Sequence, residues 1–233
     1  MILYVNGDSH SAGAEAVNNH CFAQDDPAYS SLGRQPHPDN LKVSYSQILA
    51  NNLGYELVCD AESGSSNDRI IRTTLEYLKH NTPDLIVIGW ATWEREEVLI
   101  DGNYYQFSAG WITDCWPPIP TNVTEQYKQW VTDRDDTQTY CESAQKQIWG
   151  LHQQLRDIPH LFFNTYRGLT VKDQFDFDTS YLNPYEFNFS YSLWLKNQGY
   201  QTVNQNSFHF GPDAHQAWAN HLTNMLKDRI IAK

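Results

Sequence analysis

The chain has 233 residues, of which 40% are hydrophobic and 14% aromatic, so it can bury a substantial core without disulfides or metal ions. Charged residues make up only 19% of the chain, and this composition excludes intrinsic disorder, collagen and coiled coil. The formal net charge of −12 argues against nucleic acid and an anionic membrane as partners, because both bind basic surfaces.

The sequence gives no sign of export, of a membrane anchor or of a metal site. No apolar run reaches the roughly 18 residues that span a bilayer, and residues 1–5 lack the basic segment of a secretory signal. The cysteines have neither C-x-x-C spacing nor a zinc pattern with nearby histidines; they are Cys21, Cys59, Cys115 and Cys141. We therefore expect a cytoplasmic protein with reduced thiols, no membrane partner and no cofactor.

The predicted elements alternate along the chain. In chain order they are a strand at 2–6, a helix at 43–53, a strand at 55–59, a helix at 67–80, a strand at 85–89, a helix at 137–157, a strand at 161–164, a helix at 186–197, a strand at 201–203 and a helix at 212–231. This alternation predicts a parallel sheet with helices on both faces and functional residues at the carboxyl ends of the strands.

Two segments interrupt the alternation, residues 14–42 and the aromatic-rich residues 90–135. We expect both to be insertions that lie over the carboxyl edge of the sheet, where loops commonly carry function. No repeat and no Gly/Ser linker divides the chain, so we expect a single domain over residues 1–233.

The strongest chemical signal is GDSHSAG at 7–13, which follows the first predicted strand directly. A serine hydroxyl becomes a useful nucleophile only when a base takes its proton and backbone N–H groups face the developing oxyanion. The glycine-led turn at Ser9 can supply such N–H groups. Taken alone, Ser9 can equally be a helix-capping serine.

Two further motifs follow other parts of the predicted sheet, SGSSNDRI at 63–70 and NSFHFGPDAHQAWA at 206–219. Serine first, glycine second and histidine last, each after a strand, resembles the SGNH/GDSL hydrolase superfamily, and the closest likeness is to uncharacterised SGNH-like phage proteins. The resemblance covers most of the chain through three blocks. It implies a flavodoxin-like, three-layer α/β/α sandwich with a five-stranded parallel sheet, and a host-cytoplasm location if the protein is phage-encoded.

The resemblance also implies roles for single residues. Ser9 is the expected nucleophile, and its N–H together with that of Gly64 forms part of the oxyanion hole. The family's last block reads Asp-x-x-His-Pro-x-x-x-Gly-His followed by an Ala, and the stretch from His209 to Ala219 matches that frame best. His209 is therefore the expected general base, and His215, inside the last helix, is expected to be structural.

The first departure from the family pattern concerns the group that orients the histidine. Asn206 stands where the family has Asp, so an amide would hold His209 in place of a carboxylate. Loss of that carboxylate costs a serine protease on the order of 10⁴ in rate. Asp213 is an alternative orienter, although its place in the first turn of a helix is equally explained by the helix dipole.

The second departure concerns the oxyanion hole. Ala91 stands where the family has an Asn, and it has no side-chain donor, which leaves the Thr92 hydroxyl as the substitute. A missing donor typically costs about 10²–10³ in rate. Asn67 is a further candidate donor, with capping of the 67–80 helix, a role open to Ser66 as well, as the alternative.

Substrate-binding candidates surround these blocks; they are Asp8, His10, Asn67, Trp90 and Arg95. Arg95 can grip an anionic group, or it can belong to an ion-paired loop with the neighbouring glutamates 94, 96 and 97. The aromatic residues of the 90–135 insertion can form a sugar-stacking platform or a satellite hydrophobic cluster; they are Trp90, Trp93, Tyr104, Tyr105, Trp111 and Trp116. The paired aspartates at 25–26 and 135–136 lack the spacing of a calcium loop, so no metal is expected.

These observations predict a serine ester hydrolase that acts on a small acyl ester through an acyl-Ser9 intermediate, with a carbohydrate O-acetyl group as one candidate substrate. His209 acts as base and then acid, and Asn206 orients it. Two alternatives stay open. One is a catalytically degenerate protein of the same fold that binds a ligand or a partner, and the other is a glycan O-acyltransferase.

Overall fold

The computed structural model describes residues 1–108, 111–113, 119–133, 137–172 and 175–231, without the side chains of 111–113, 137 and 228–231. In chain order the elements are β1 (Ile2–Asn6), α1 (Ser9–Ala12), α2 (Pro38–Val43), α3 (Tyr45–Leu53), β2 (Glu56–Cys59), α4 (Asn67–Leu78), β3 (Leu85–Trp90), β4 (Arg95–Ile100), β5 (Asn103–Ser108), β6 (Trp111–Thr113), α5 (Thr121–Thr132), α6 (Thr137–Gln154), β7 (His160–Asn164), α7 (Tyr191–Asn197) and α8 (Pro212–Ile231). Short 3₁₀ helices lie at Ala23–Asp25, Ser30–Leu32, Asp178–Ser180 and Phe187–Phe189.

The central sheet is parallel and its strands run in the order β2-β1-β3-β7. Alternate residues of β1 face the two helix layers: Leu3 and Val5 pack with α3, α7 and α8, whereas Tyr4 packs with α4 and α6. The predicted α/β class, with helices on both faces of a parallel sheet, is confirmed. Numbered among the parallel strands alone, the order is 2-1-3-4, which is the flavodoxin-like arrangement without its last strand.

The fifth predicted strand, at 201–203, does not form. Thr202 makes only an isolated antiparallel bridge to Phe210, and the apolar side chain of Val203 is exposed. The segment is mostly polar, so it has no second apolar residue to bury against the helix layers and no reason to extend the sheet. The described sheet therefore has four strands.

The insertion at 90–135 contains regular structure that the sequence analysis missed. Strands β4, β5 and β6 form an antiparallel sheet, and α5 packs against it through Val123, which joins Ile100 and Phe107 in one apolar cluster. The β4–β5 turn is Asp101-Gly102, and both residues have positive φ, 49° and 81°. An Asp-Gly pair with this backbone is the preferred two-residue hairpin turn, so the sequence did carry a signal for it.

Caps explain where the helices at the site begin. Ser66 caps α4, because its Oγ accepts a hydrogen bond from the Arg69 N–H at 3.3 Å. The predicted 43–53 helix begins at Tyr45, where the Ser44 Oγ accepts from the Gln47 N–H at 3.2 Å. Among the helices that the structure describes, none is both long and apolar enough to cross a bilayer.

Candidate active site

The turn after β1 places Ser9 at the start of α1. Asp8 caps this short helix by accepting a hydrogen bond from the His10 N–H at 3.1 Å. Gly7 is required here, because a Cβ at this position would lie 2.2 Å from the Ser11 Oγ and 2.9 Å from the Gly89 carbonyl oxygen. Ser9 therefore sits at the carboxyl edge of the central strand pair, as the first motif predicts.

The two predicted oxyanion donors lie on adjoining loops. The Glu62 N–H donates to the Gly7 carbonyl at 3.2 Å, so the loop that carries Gly64 runs beside the turn that carries Ser9. Gly64 has a φ of 80°, which favours glycine. Within the described chain, neither the Ser9 N–H nor the Gly64 N–H donates a hydrogen bond to another group, which leaves both N–H groups free for an acceptor.

His209 is held by a carboxylate that the sequence analysis did not identify. Its Nδ1 lies 2.6 Å from Oε2 of Glu15. A carboxylate can only accept, so Nδ1 carries the proton and Nε2 is left as the basic nitrogen. The same Glu15 oxygen accepts from the Ser207 Oγ, and Ser207 in turn accepts from the His209 N–H at 2.9 Å. His209 is thereby fixed through its ring and its backbone.

Glu15 differs from an ordinary surface carboxylate in two ways. Desolvation opposes its ionisation, but hydrogen bonds from Ser207 and His209 outweigh it and hold the pKa of Glu15 below its usual value. Its backbone has a φ of 60°, a left-handed conformation that is uncommon for a residue with a side chain and that clusters at functional sites. The surrounding structure therefore holds Glu15 in a particular orientation toward His209.

The structure does not place the predicted orienter, Asn206, against His209. Asn206 is exposed, and its N–H donates to the Asn204 side chain at 2.9 Å, whereas the His209 Nδ1–H is already taken by Glu15. The alternative, Asp213, is also exposed. The sequence analysis missed Glu15 because it belongs to the 14–42 insertion and to no family block. The single available signal was a carboxylate a short distance after Ser9.

His215 is buried, and its Nδ1 accepts from the Tyr45 N–H at 3.1 Å. Burial lowers the pKa of His215 to about 3, so this ring stays neutral near pH 7. These contacts agree with the structural role expected for it.

The predicted nucleophile, Ser9, and the predicted base, His209, lie on neighbouring parts of the structure without being in hydrogen-bond contact. The His209 ring centroid lies 5.0 Å from that of His10, the residue after Ser9. Among the described residues, however, no hydrogen bond links the Ser9 Oγ to His209. The serine–histidine hydrogen bond that a catalytic triad requires is therefore not formed. Such bonds are often long without substrate and shorten when it binds.

Asp8 and His10, predicted to bind substrate, are buried supports of the Ser9 turn. Asp8 lies 3.4 Å from Nη1 of Arg95; burial raises the pKa of Asp8, and the Arg95 charge opposes that rise. His10 hydrogen-bonds the Tyr166 hydroxyl through Nε2, and burial keeps its pKa well below the usual value. Both side chains are enclosed by protein, which favours this supporting role, and their part in substrate binding stays a prediction.

Arg95 holds loops together. Besides Asp8, its Nη1 donates to the Ser65 carbonyl at 3.2 Å. The glutamates that follow β3 are also engaged: Arg167 pairs with Glu94 at 2.7 Å and Arg72 with Glu97 at 2.6 Å, while the Trp130 indole N–H donates to Glu96 at 2.5 Å. The ion-paired alternative therefore describes this cluster better than a free anion grip.

The predicted side-chain oxyanion donor after β3 is engaged by a neighbouring residue. The Thr92 hydroxyl donates to Oε2 of Glu94 at 2.9 Å, so its proton is directed at a carboxylate and its predicted role is not supported. Trp90 is 1% exposed and packs edge-on against Phe162, so the structure places it in the core and does not support the predicted contact with substrate. The neighbouring residues explain both results: Glu94 accepts from Thr92, and Phe162 packs against Trp90.

The described aromatic residues of the insertion do not form an open platform. Trp93 is buried, Tyr105 packs in the β4–β5–α5 cluster, and the Arg72 guanidinium lies 4.0 Å from the ring centroid of the exposed Tyr104. This arrangement favours the satellite-cluster alternative. Trp116 and the side chain of Trp111 lie outside the described residues, so the platform expectation for them stays a prediction.

Asn67, the remaining candidate, is the first residue of α4 and is 3% exposed. Its Oδ1 has no hydrogen-bond partner among the described residues, and the side chain lines a cavity together with Arg95. Within the same part of the chain, no group of three or more His, Cys, Asp or Glu side chains is arranged to hold a metal ion.

No family model and no curated protein matches this sequence. Solved structures do resemble it over nearly its full length. LAE5, an alpha/beta hydrolase enzyme from the metagenome of Lake Arreo, is 13% identical with a TM-score of 0.48, over 96% of this chain and 94% of LAE5. The esterase EstA from Pseudoalteromonas sp. is 10% identical with a TM-score of 0.47, over 98% of each chain.

A third similar structure is Est2A, an acetyl xylan esterase from the rumen bacterium Butyrivibrio proteoclasticus, at 13% identity and a TM-score of 0.45. The match covers 98% of this chain but 64% of Est2A, so this chain spans less than two thirds of that protein. At such identities the likeness concerns the fold alone. The phage likeness and the cytoplasmic location stay predictions.

Proposed function

We propose that this protein hydrolyses a small acyl ester, with an O-acetylated carbohydrate as the candidate substrate, through an acyl intermediate on Ser9. The observation that carries the proposal is the His209–Glu15 hydrogen bond of 2.6 Å beside the Ser9 turn. This bond leaves Nε2 of His209 as a base. A serine hydroxyl needs a base close to it to act as a nucleophile.

The reaction follows from these atoms. Nε2 of His209 takes the proton of Ser9 as Oγ bonds to the ester carbonyl carbon, and the carbonyl oxygen becomes an oxyanion that accepts from the Ser9 and Gly64 N–H groups. The imidazolium then gives its proton to the leaving alcohol as the ester C–O bond breaks. Water, deprotonated by His209, attacks the acyl carbon, and the carboxylic acid leaves as the proton returns to Ser9.

Glu15 acts by position and charge. Its carboxylate holds the ring so that Nε2 faces the reaction, and it stabilises the positive charge that His209 carries between the two proton transfers. The oxyanion hole has two backbone donors and lacks the side-chain donor, because Ala91 has none and the Thr92 hydroxyl donates to Glu94. One missing donor costs about 10²–10³ in rate, so we expect slow turnover of simple esters.

A ligand-binding protein without turnover is the second candidate function. Two observations favour it: the Ser9 Oγ makes no hydrogen bond to His209 within the described chain, and the Thr92 hydroxyl donates to Glu94. The two functions differ in one property, which is the reactivity of the Ser9 hydroxyl toward electrophiles.

Labelling with a fluorophosphonate tests that property. The native protein should form a covalent adduct on Ser9, identified by mass spectrometry of its peptides, and should hydrolyse p-nitrophenyl acetate. Ser9→Ala should lose both, while Ser30→Ala, a change at an exposed serine, should retain both. A folded native protein that gives no Ser9 adduct with excess reagent would favour the binding function.

A further inference from the structure

A cavity of about 130 Å³ lies between the start of α4, the β3–β4 connection and α6. Arg95 lies in its wall and also contacts Asp8, the residue before Ser9. The cavity is therefore separated from the nucleophile turn by one ion pair.

Asn67 gives this cavity an unmet hydrogen-bond requirement. The side chain lines the cavity and is 3% exposed, and its Oδ1 has no partner among the described residues. Ser66 caps α4, so capping does not use the Asn67 amide. A buried amide oxygen without a donor is costly, and a ligand that brings a hydroxyl donor would remove that cost.

The charged residues that line the cavity indicate which kind of ligand it can bind. Asp68 and Glu96 line the cavity opposite the single guanidinium of Arg95, so an anion meets more negative than positive charge. Burial already raises the pKa of Asp68, which is the effect of crowded and poorly solvated carboxylates. A bound cation would in turn face Arg95. Neutral groups avoid both penalties.

The same wall offers both donors and acceptors. Asp68 Oδ1 accepts from the Gln147 amide at 3.0 Å, and Ser143, on the same helix as Gln147, adds a hydroxyl. A hydroxyl group can donate and accept at once, so a ligand with several hydroxyls matches this lining better than a purely apolar one or one with only acceptors.

We propose that this cavity binds the neutral, hydroxyl-rich alcohol portion of the ester, such as a sugar ring or a small polyol, with Asn67 accepting one of its hydroxyls. The inference rests on the proposed esterase function for its role in catalysis, but binding itself does not require turnover. It assigns the recognition of the sugar to the α4–α6 side of Ser9.

Binding is tested first on the Ser9→Ala protein, which removes turnover. Methyl β-xyloside should give saturation-transfer NMR signals with this protein, and those signals should disappear when Asn67→Ala or Ser143→Phe is added. Asn224→Phe, a change at a second surface concavity on α8, is the matched control and should keep them. Retention of binding in both cavity variants, or tighter binding of sulfate than of xyloside at Arg95, would overturn the inference.

Kinetics then separate the cavity from the chemistry. Ser143→Phe should lower kcat/KM for a mono-O-acetylated methyl xyloside at least tenfold relative to p-nitrophenyl acetate, which has no sugar. Equal changes for the two esters would overturn the sugar site while leaving the esterase function intact. If neither ester is hydrolysed but the xyloside binds through Asn67, the esterase function fails and the cavity assignment stands.

Discussion

Two carboxylates flank Ser9 in the chain, Asp8 before it and Glu15 after it. Their pKa values are shifted in opposite directions. Glu15 is partly exposed and accepts from Ser207 and His209, which lowers its pKa. Asp8 is fully buried beside Arg95, and burial raises its pKa. One carboxylate is thus kept charged next to His209, and the other has the Arg95 guanidinium as its ion partner and the His10 N–H as a hydrogen-bond donor.

This contrast indicates separate tasks for the two carboxylates. A partly exposed carboxylate contributes little to folding, but in direct contact with the ring it can stabilise a transient imidazolium. A buried carboxylate cannot lose its ion partner cheaply. We therefore expect changes on the Glu15 side to affect rate, and changes on the Asp8 side to affect stability.

The largest effect is expected for Glu15→Gln. The amide keeps the shape but removes the charge beside the imidazolium, so kcat/KM on p-nitrophenyl acetate should fall by up to about 10⁴-fold. The measurement is kcat/KM, with thermal melting to verify folding.

Two further variants test whether the loss of rate comes from the charge of Glu15. Glu15→Asp keeps the charge with a shorter side chain and should lose less activity than Glu15→Gln. Glu186→Gln removes an exposed carboxylate away from the site and should leave kcat/KM unchanged. An unaltered kcat/KM in folded Glu15→Gln would show that this carboxylate does not act on the base.

The second prediction concerns Arg95→Met and the free energy of unfolding. This change leaves Asp8 buried without its ion partner, which should cost about 3–5 kcal/mol near pH 8. A carboxyl group whose folded pKa is raised loses stability as pH rises from its unfolded pKa, near 3.9, through its folded pKa. The loss should therefore be smaller at pH 4.5 than at pH 8, as measured by urea unfolding.

The double variant Asp8→Asn with Arg95→Met is the control for the charge. It has no buried carboxylate at this position, so its unfolding free energy should lose the pH dependence that the single variant shows. If Arg95→Met is equally destabilised at both pH values, the loss reflects the contact from Arg95 to the Ser65 carbonyl and not the charge of Asp8.

The fold was largely predictable from the sequence because its core elements carry local signals. The 85–89 segment is apolar throughout and forms β3, which is buried along its whole length, and Ser66 marks the start of α4. The hairpin at Asp101-Gly102 was missed although its turn signal is local. The strand at 201–203 was overpredicted because a short β-like pattern does not guarantee a partner to bury against.

The candidate site was predictable only where its residues belong to motifs. Ser9 and Gly64 follow strands of the sheet and His209 precedes the last helix, so motif order and spacing were enough to propose them. Glu15 reaches His209 across nearly the whole chain and from a left-handed backbone position. No periodicity or spacing encodes that contact. The Thr92–Glu94 contact, by contrast, joins residues two apart in the sequence, so it was a local contact that the sequence analysis did not consider.

The smallest effect is expected for Asn206→Asp, and it tests the Glu15 side directly. From the sequence alone this change restores the family's carboxylate and should raise turnover at least tenfold. In the structure Asn206 is exposed and the His209 Nδ1–H is already donated to Glu15, so the new carboxylate finds no free donor on the ring. We expect kcat/KM to change by less than about twofold, since a pair exposed to solvent contributes little. A tenfold rise on p-nitrophenyl acetate would mean that Glu15 does not hold His209 during the reaction.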